Sequence, residues 1–197
     1  CFQFVGRDEP GLTPGTRVGA YRVVGELGRG GMGAVYRAAR ADGTFEKEVA
    51  LKLVKRGMDT DEALRRFHAE RRILAGLDHP HVARLLDAGA HDDGRPFLAM
   101  ELAEGEPITV YADAHRLGVP ARLDLFEQTV EAVAYAHRRL VVHRDLKPSN
   151  VLVAEADGVP HVKLLDFGIA RLLDTDADAL TRPEHRVLTP EYAAPEQ

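Results

Sequence analysis

The segment His143-Arg144-Asp145-Leu146-Lys147-Pro148-Ser149-Asn150 constrains this chain more than any other stretch, because it sits between two apolar runs, Leu140-Val141-Val142 and Val151-Leu152-Val153. Strand-like runs on both sides predict that each end enters a core. The acid, the ammonium and the amide, with Lys147 two residues and Asn150 five residues after Asp145, are then held on a concave surface at the edge of that core. The rest of the chain has to explain why those three groups are needed there.

Strand patterns come first. Residues 1–15 carry Gly6, Pro10, Gly11, Pro14 and Gly15 and read as an irregular leader. Tyr21-Arg22-Val23-Val24 then leads into Gly28-Arg29-Gly30-Gly31-Met32-Gly33, after which Ala34, Tyr36 and Ala38 alternate with Val35, Arg37 and Ala39, a period of two. Asp42-Gly43 marks a turn and residues 48–54 read as the next strand. One helix interrupts this antiparallel sheet: Thr60 or Asp61 caps it, Glu62 lies in its first turn, and Phe67, Leu74 and Leu77 form its apolar stripe. Two short strands follow, around residues 82–86 and 96–101, with Gly94 in the turn between them. Beyond Leu102-Ala103-Glu104-Gly105 the texture becomes helical, with Phe126, Val130, Val133, His137 and Leu140 at helical spacing. Two last strands, residues 151–153 and 161–165, are joined through Asp157-Gly158.

Three residues sit where their chemistry is costly. Glu70 falls three residues after Phe67 and four before Leu74, on the apolar face of the helix. Lys52 shares a strand face with Ala50 and Val54. A buried unpaired charge is expensive, and pairing Lys52 with Glu70 relieves both. The alternative is that Glu70 lies at the edge of the stripe and Lys52 snorkels to water. The third is Asp166, in Leu164-Leu165-Asp166-Phe167-Gly168, which taken alone is compatible with a simple turn. The Gly28-x-Gly30-x-x-Gly33 loop is ambiguous in the same way. It lets a backbone approach a ligand closely, but no helix follows it, as a dinucleotide fold requires, and it lacks the Lys-Ser/Thr ending of a P-loop.

Chain order resolves these ambiguities. A glycine hairpin, a strand lysine in Val49-Ala50-Leu51-Lys52, a helix glutamate, the His143–Asn150 segment, Asp166-Phe167-Gly168 and Ala194-Pro195-Glu196 occur in that sequence. In this the chain resembles a protein kinase domain, from about Tyr21 to Gln197. The resemblance implies an α+β, bilobal protein-kinase-like fold: an antiparallel-sheet N-lobe with one main helix (16–102) and a helix-led C-lobe (103–197), truncated after Ala-Pro-Glu. It implies ATP and Mg²⁺ as cofactors, with Mn²⁺ as an alternative metal. By that resemblance the amides of Gly28, Gly30, Gly31 and Gly33 cover the phosphates. Lys52 holds the α- and β-phosphates and is aimed by Glu70, Asn150 and Asp166 hold the metal, Asp145 is the base, and Lys147 neutralises the transferring phosphoryl. Val35, Ala50 and Leu152 sandwich the adenine with Met100 behind it, and Glu101 and the main chain near Ala103 supply hinge hydrogen bonds. Leu74, Leu85, His143 and Phe167 stack as an apolar spine.

Lys147 in Asp-Leu-Lys-Pro-x-Asn and Thr189 in Thr189-Pro190-Glu191-Tyr192 resemble serine/threonine kinases, and the wording around Gly30-Gly31-Met32-Gly33 and Tyr192-Ala193-Ala194-Pro195-Glu196-Gln197 is similar to the bacterial eukaryotic-like branch. Protein substrates with Ser or Thr are the implied partners, with self-association for autophosphorylation. Arg144 implies activation-loop regulation, for which Thr181 and then Thr175 are the candidate phosphosites. Alternatives are a pseudokinase or ATP-binding scaffold, or a small-molecule kinase of related fold. The net charge of −5 gives no basic footprint for nucleic acid. The single cysteine, Cys1, rules out a disulfide framework and a cysteine metal cluster and fits a reducing, cytoplasmic setting. A membrane enters only through flanking sequence. A chain that starts at Cys1 and stops at Gln197 reads as a piece of a longer protein. Alone it is expected to be marginally stable and weakly active or inactive, with apolar surface exposed where further helices would pack.

Overall fold

The computed structural model describes residues 11–30, 33–41, 47–55, 74–167 and 191–192. Six strands make the first sheet: β1 (Arg17–Val18), β2 (Tyr21–Gly30), β3 (Gly33–Arg40), β4 (Glu48–Val54), β5 (Leu85–Ala90) and β6 (Pro96–Glu101). Their spatial order is β1-β2-β3-β4-β6-β5, and every pairing is antiparallel. The second sheet is β7 (Glu106–Pro107), β8 (Val151–Ala156) and β9 (Val159–Leu164), in that order. Between β7 and β8 run α1 (Ile108–Ala114), α2 (Val119–His137) and a 3₁₀ turn at Pro148–Asn150.

The alternation in the first sheet does what period two requires. Tyr21 and Val23, Tyr36 and Ala38, Val49, Leu51 and Leu53, and Phe97 and Ala99 all turn to one face and form one core. The opposite face carries Val54, Leu98 and Met100, which join a second core with Val151, Val153, Val162, Leu164 and Phe167. That second core therefore crosses from one sheet to the other and holds a cleft open between them. Residues 11–16, before β1, are tied down to the sheet: Leu12 N–H donates to the Tyr36 hydroxyl at 3.0 Å and Gly15 N–H to Val23 O at 2.8 Å.

Two expectations shift. The strand predicted around residues 82–86 begins at Leu85, while Val82 forms a single parallel bridge to Leu164. The stretch before β5 is thus captured by the second sheet: Ala83 N–H donates to Leu164 O and Leu164 N–H to His81 O. The second shift concerns α2. Of the stripe read from Phe126, Val130, Val133, His137 and Leu140, Val133 packs against the core, Phe126, Val130 and His137 face outward, and Leu140 lies beyond the helix end; the buried positions are Leu125, Thr129, Ala132 and Ala136. The reason is the exposed edge of β9, where the Gln128 side chain donates to Pro160 O and accepts from Val162 N–H. Those bonds satisfy strand groups that would otherwise be orphaned, and they set the rotation of the helix.

Candidate nucleotide cleft

The roof of the cleft is the β2–β3 hairpin. Its strands pair up to Gly30 opposite Gly33. Gly33 has φ of 139°, and a Cβ there would lie 2.0 Å from Leu53 O, so only glycine fits against β4. Gly105, in the linker after β6, is bound by the same constraint: φ is 157° and a Cβ would meet Val153 O at 2.5 Å. These two close approaches bring the roof and the linker tight against their neighbours.

Between roof and floor lies a cavity of about 710 Å³, large enough for a nucleotide. Gly28, Gly30, Gly33, Val35, Ala50 and Lys52 line it from above, Met100, Glu101 and Ala103 from the side, and Asp145, Lys147, Asn150, Leu152 and Asp166 from below. All of these are positions expected from the sequence. The sequence reading missed Leu27, whose place beside Gly28 in the roof was the available signal, and Ser149, which lies within the His143–Asn150 segment itself. Gly31, Glu70, Thr175, Thr181 and Thr189 lie outside the described residues, so the expected Lys52–Glu70 pair does too.

Lys52 is 7% exposed, and its ammonium donates to Asp166 Oδ2 at 2.8 Å. Asp166 follows β9 with a left-handed backbone, φ 58°. The catalytic-loop candidates form a second cluster. Lys147 Nζ lies 2.8 Å from Asp145 Oδ2, and Asn150 Nδ2 donates to Asp145 O at 2.7 Å and to Asp145 Oδ2 at 3.2 Å. The 3₁₀ turn at Pro148–Asn150 bends the chain so that Lys147 and Asn150 both reach back to Asp145. His143 anchors the loop from beneath: its Nε2 bonds Leu165 O at 2.8 Å, Asp145 N–H donates to its Nδ1, and its ring lies 4.8 Å from that of Phe167. Burial holds its pKa below the ordinary histidine value. A neutral imidazole is what a residue that both accepts and donates in this way requires. Leu74 and Leu85 belong to the same core as Phe167, as the expected spine demands. Arg144, next to Asp145, is exposed with φ 68°.

Glu101 differs from expectation in what its side chain does. Its carboxylate is bound by Lys163 Nζ at 2.9 Å and by Arg84 N–H at 3.3 Å. Burial pushes this carboxyl up, but the Lys163 and Arg84 hydrogen bonds and charges outweigh it and leave the pKa below the usual value.

The donors at the floor fit a hard divalent cation. Asn150 turns its NH₂ to Asp145, which leaves the amide oxygen on the other arm, and Asp166 adds a carboxylate. Among the described residues no group of three or more His, Cys, Asp or Glu side chains is arranged to hold a metal by itself. One or two protein oxygens completed by substrate phosphates is the pattern of Mg²⁺.

Fold and site together define a class: a two-sheet protein that encloses a nucleotide-sized cleft under a glycine hairpin, with two acids and a lysine at its floor and a second lysine above. Residues 21–197 match the protein kinase domain family, and the chain belongs to that family. It is 39% identical over 185 residues to the serine/threonine-protein kinase Pkn1 of Myxococcus xanthus, covering 93% of this chain and 26% of that protein. It is 39% identical over 188 residues to the serine/threonine-protein kinase PknA of Mycobacterium tuberculosis, covering 92% of this chain and 42% of that protein. The crystal structure of the M. tuberculosis PknI kinase domain superposes with a TM-score of 0.67 at 34% identity, covering 81% of this chain and 62% of that one. The chain thus spans less than half the length of these two curated relatives, and they are bacterial serine/threonine kinases.

Proposed function

We propose that this chain is the nucleotide-binding and catalytic part of a bacterial serine/threonine protein kinase that transfers the γ-phosphoryl of ATP to Ser or Thr hydroxyls of proteins. The observation that carries the reading is the meeting of Lys52 and Asp166, from different sheets, beside the Asp145–Lys147–Asn150 cluster in one cleft. Lobe limits at 16–102 and 103–197 fit the two sheets, the linker after β6 joining them.

Phosphoryl transfer depends on positioning and on neutralising charge, so the residues divide by what they hold. The roof glycines leave main-chain N–H groups facing the phosphates. Lys52, kept in place by β3 and β6 on either side, binds the α- and β-phosphates. Val35, Ala50, Leu152 and Met100 enclose the adenine, and the main chain at Glu101 and Ala103 bonds its edge. Asn150 and Asp166 hold Mg²⁺, with Mn²⁺ an alternative, and the ion supplies charge neutralisation on the phosphates. Asp145 accepts the proton of the attacking hydroxyl, and Lys147 neutralises the transferring group. Glu70 orients Lys52 in this reading. Thr189, which lies outside the described residues, would hydrogen-bond near Asp145 and Lys147 in this reading. Arg144 receives a phosphate on Thr181, or secondarily Thr175, placed there by a second copy of the kinase. The kinase part works in the cytoplasm, where ATP is supplied; no described helix is long and apolar enough to cross a membrane.

The test is transfer of labelled phosphate from ATP by the full-length protein, compared with Asp145→Asn. Loss of the base should lower kcat by about 10²- to 10⁴-fold. Unchanged transfer by the variant refutes the assignment, and Mg-ATP binding with no transfer by the wild type favours a scaffold instead. Phosphopeptide mapping after incubation with ATP should find Thr181 occupied before Thr175.

A further inference from the structure

Glu101 ends β6, and Lys163 stands on β9 three residues before Asp166. Their side chains, 26% and 24% exposed, meet at 2.9 Å. The same carboxylate accepts Arg84 N–H, while Glu101 N–H donates to Arg84 O at 2.8 Å. Arg84 directly follows the stretch that β9 captures through Ala83 and His81. One carboxylate thus ties together the end of the first sheet, the strand entering it and the strand of the second sheet that delivers Asp166. Neither Lys163 nor Arg84 lines the cleft. Two short paths do enter it from this node: along the main chain from Glu101 to Ala103 at one wall, and along β9 from Lys163 to Asp166 at the floor. Lys163 also pairs across the strands with Leu152, a floor residue.

We propose that the Glu101–Lys163 pair is a latch that sets the spacing between the linker wall of the cleft and Asp166. Both are then positioning residues, acting through the main chain of the linker and the end of β9. The inference rests on the nucleotide reading of the cleft. It separates two kinds of ligand: Mg-ATP, which reaches from the linker to Asp166, feels the latch, whereas adenosine, which reaches only the linker wall, does not.

The experiment is calorimetric titration of the full-length protein with Mg-ATP and, separately, with adenosine, for the wild type, Lys163→Met, Glu101→Gln, their combination and Lys163→Arg. Lys163→Met is expected to weaken Mg-ATP about threefold, the scale of a partly exposed ion pair, and to leave adenosine unchanged, and Glu101→Gln to weaken Mg-ATP to a similar extent. The double variant should be no weaker than Glu101→Gln alone, which already removes the Lys163 contact along with the 3.9 Å Arg84 pair, and Lys163→Arg should keep the wild-type ratio of the two affinities. Equal weakening of both ligands would mean general loosening and overturns the latch, as does no change in either. A wild type that binds no Mg-ATP overturns the nucleotide reading itself, which the adenosine arm and the transfer assay then identify as the failure.

Discussion

The first sheet and α2 dispose of their apolar residues in opposite ways. In β4, Val49, Leu51 and Leu53 enter one core and Val54 the other, and Leu51 is fully buried. In α2, Leu125, Thr129, Ala132 and Ala136 are packed while Leu123, Phe126 and Val130 are 58%, 60% and 47% exposed. The difference lies in the two periodicities. A strand slipped by one residue sends its whole apolar set to the wrong face, so alternation in a hairpin-linked sheet specifies burial by itself. A helix rotated by about 100°, one residue's worth, exchanges one plausible stripe for its neighbour. Nothing within α2 chooses between the Leu125-Thr129-Ala132 side and the Phe126-Val130 side; its partner β9 chooses, through Gln128.

That contrast can be broken at four places. Leu51→Ala should cost about 2–5 kcal/mol, as large cavities do, because no neighbouring register can rescue it; chemical denaturation of the full-length protein measures this, and a loss below about 1 kcal/mol would mean the sheet core is not rigidly specified. Gln128→Ala should cost about 1–2 kcal/mol by stranding Pro160 O and Val162 N–H. Hydrogen exchange should show the loss at Val162 first, and equal protection in the variant would sever the link between β9 and the rotation of α2.

The third place is His143, on the floor. Burial lowers its folded-state pKa below 6.5, so folding favours the neutral ring. Its stabilising contribution is complete above about pH 6.5 and diminishes as the pH falls below that, when the unfolded chain takes up a proton that the folded one resists. His143→Phe should therefore flatten the acid side of the stability profile. His79, shifted down by burial and by His81, leaves a slope of the same sign. A profile identical to wild type would mean that His143 titrates alike in the folded and the unfolded chain. The smallest effect is expected on the bare face of α2, where Phe126→Ser in this chain should change stability by no more than about 0.5 kcal/mol; a larger loss would show that Phe126 is packed in solution.

The cleft was more legible than the helix that supports it. Gly28, Gly30, Val35, Ala50, Met100, Leu152, Asp145, Lys147, Asn150 and Asp166 all line one cavity, as their order along the chain implied, because each belongs to a motif whose chemistry demands that residue type. Glu101 was legible only as a hinge residue. Its carboxylate was assigned no partner, since Lys163 lies 62 positions away and no local pattern joins them. Lys52 was read as needing an acid; the described acid is Asp166, from the other sheet, a pairing the strand pattern alone could not specify.

What the sequence determined by itself is the inventory and the alternation: an antiparallel sheet with a glycine roof, and a polar loop leading into a buried strand, whereas of the run before that loop only Val141 is buried, Leu140 and Val142 being 88% and 53% exposed. Those are local properties, set by period two, by residues that tolerate unusual φ, and by the cost of burying charge. Only the tertiary structure decided which face of α2 packs, that the stretch before β5 belongs to β9, and that Glu101 and Lys163 meet. Each of these depends on contacts between segments far apart in the chain, where several pairings satisfy the local pattern equally well and hydrogen bonding across the interface selects one.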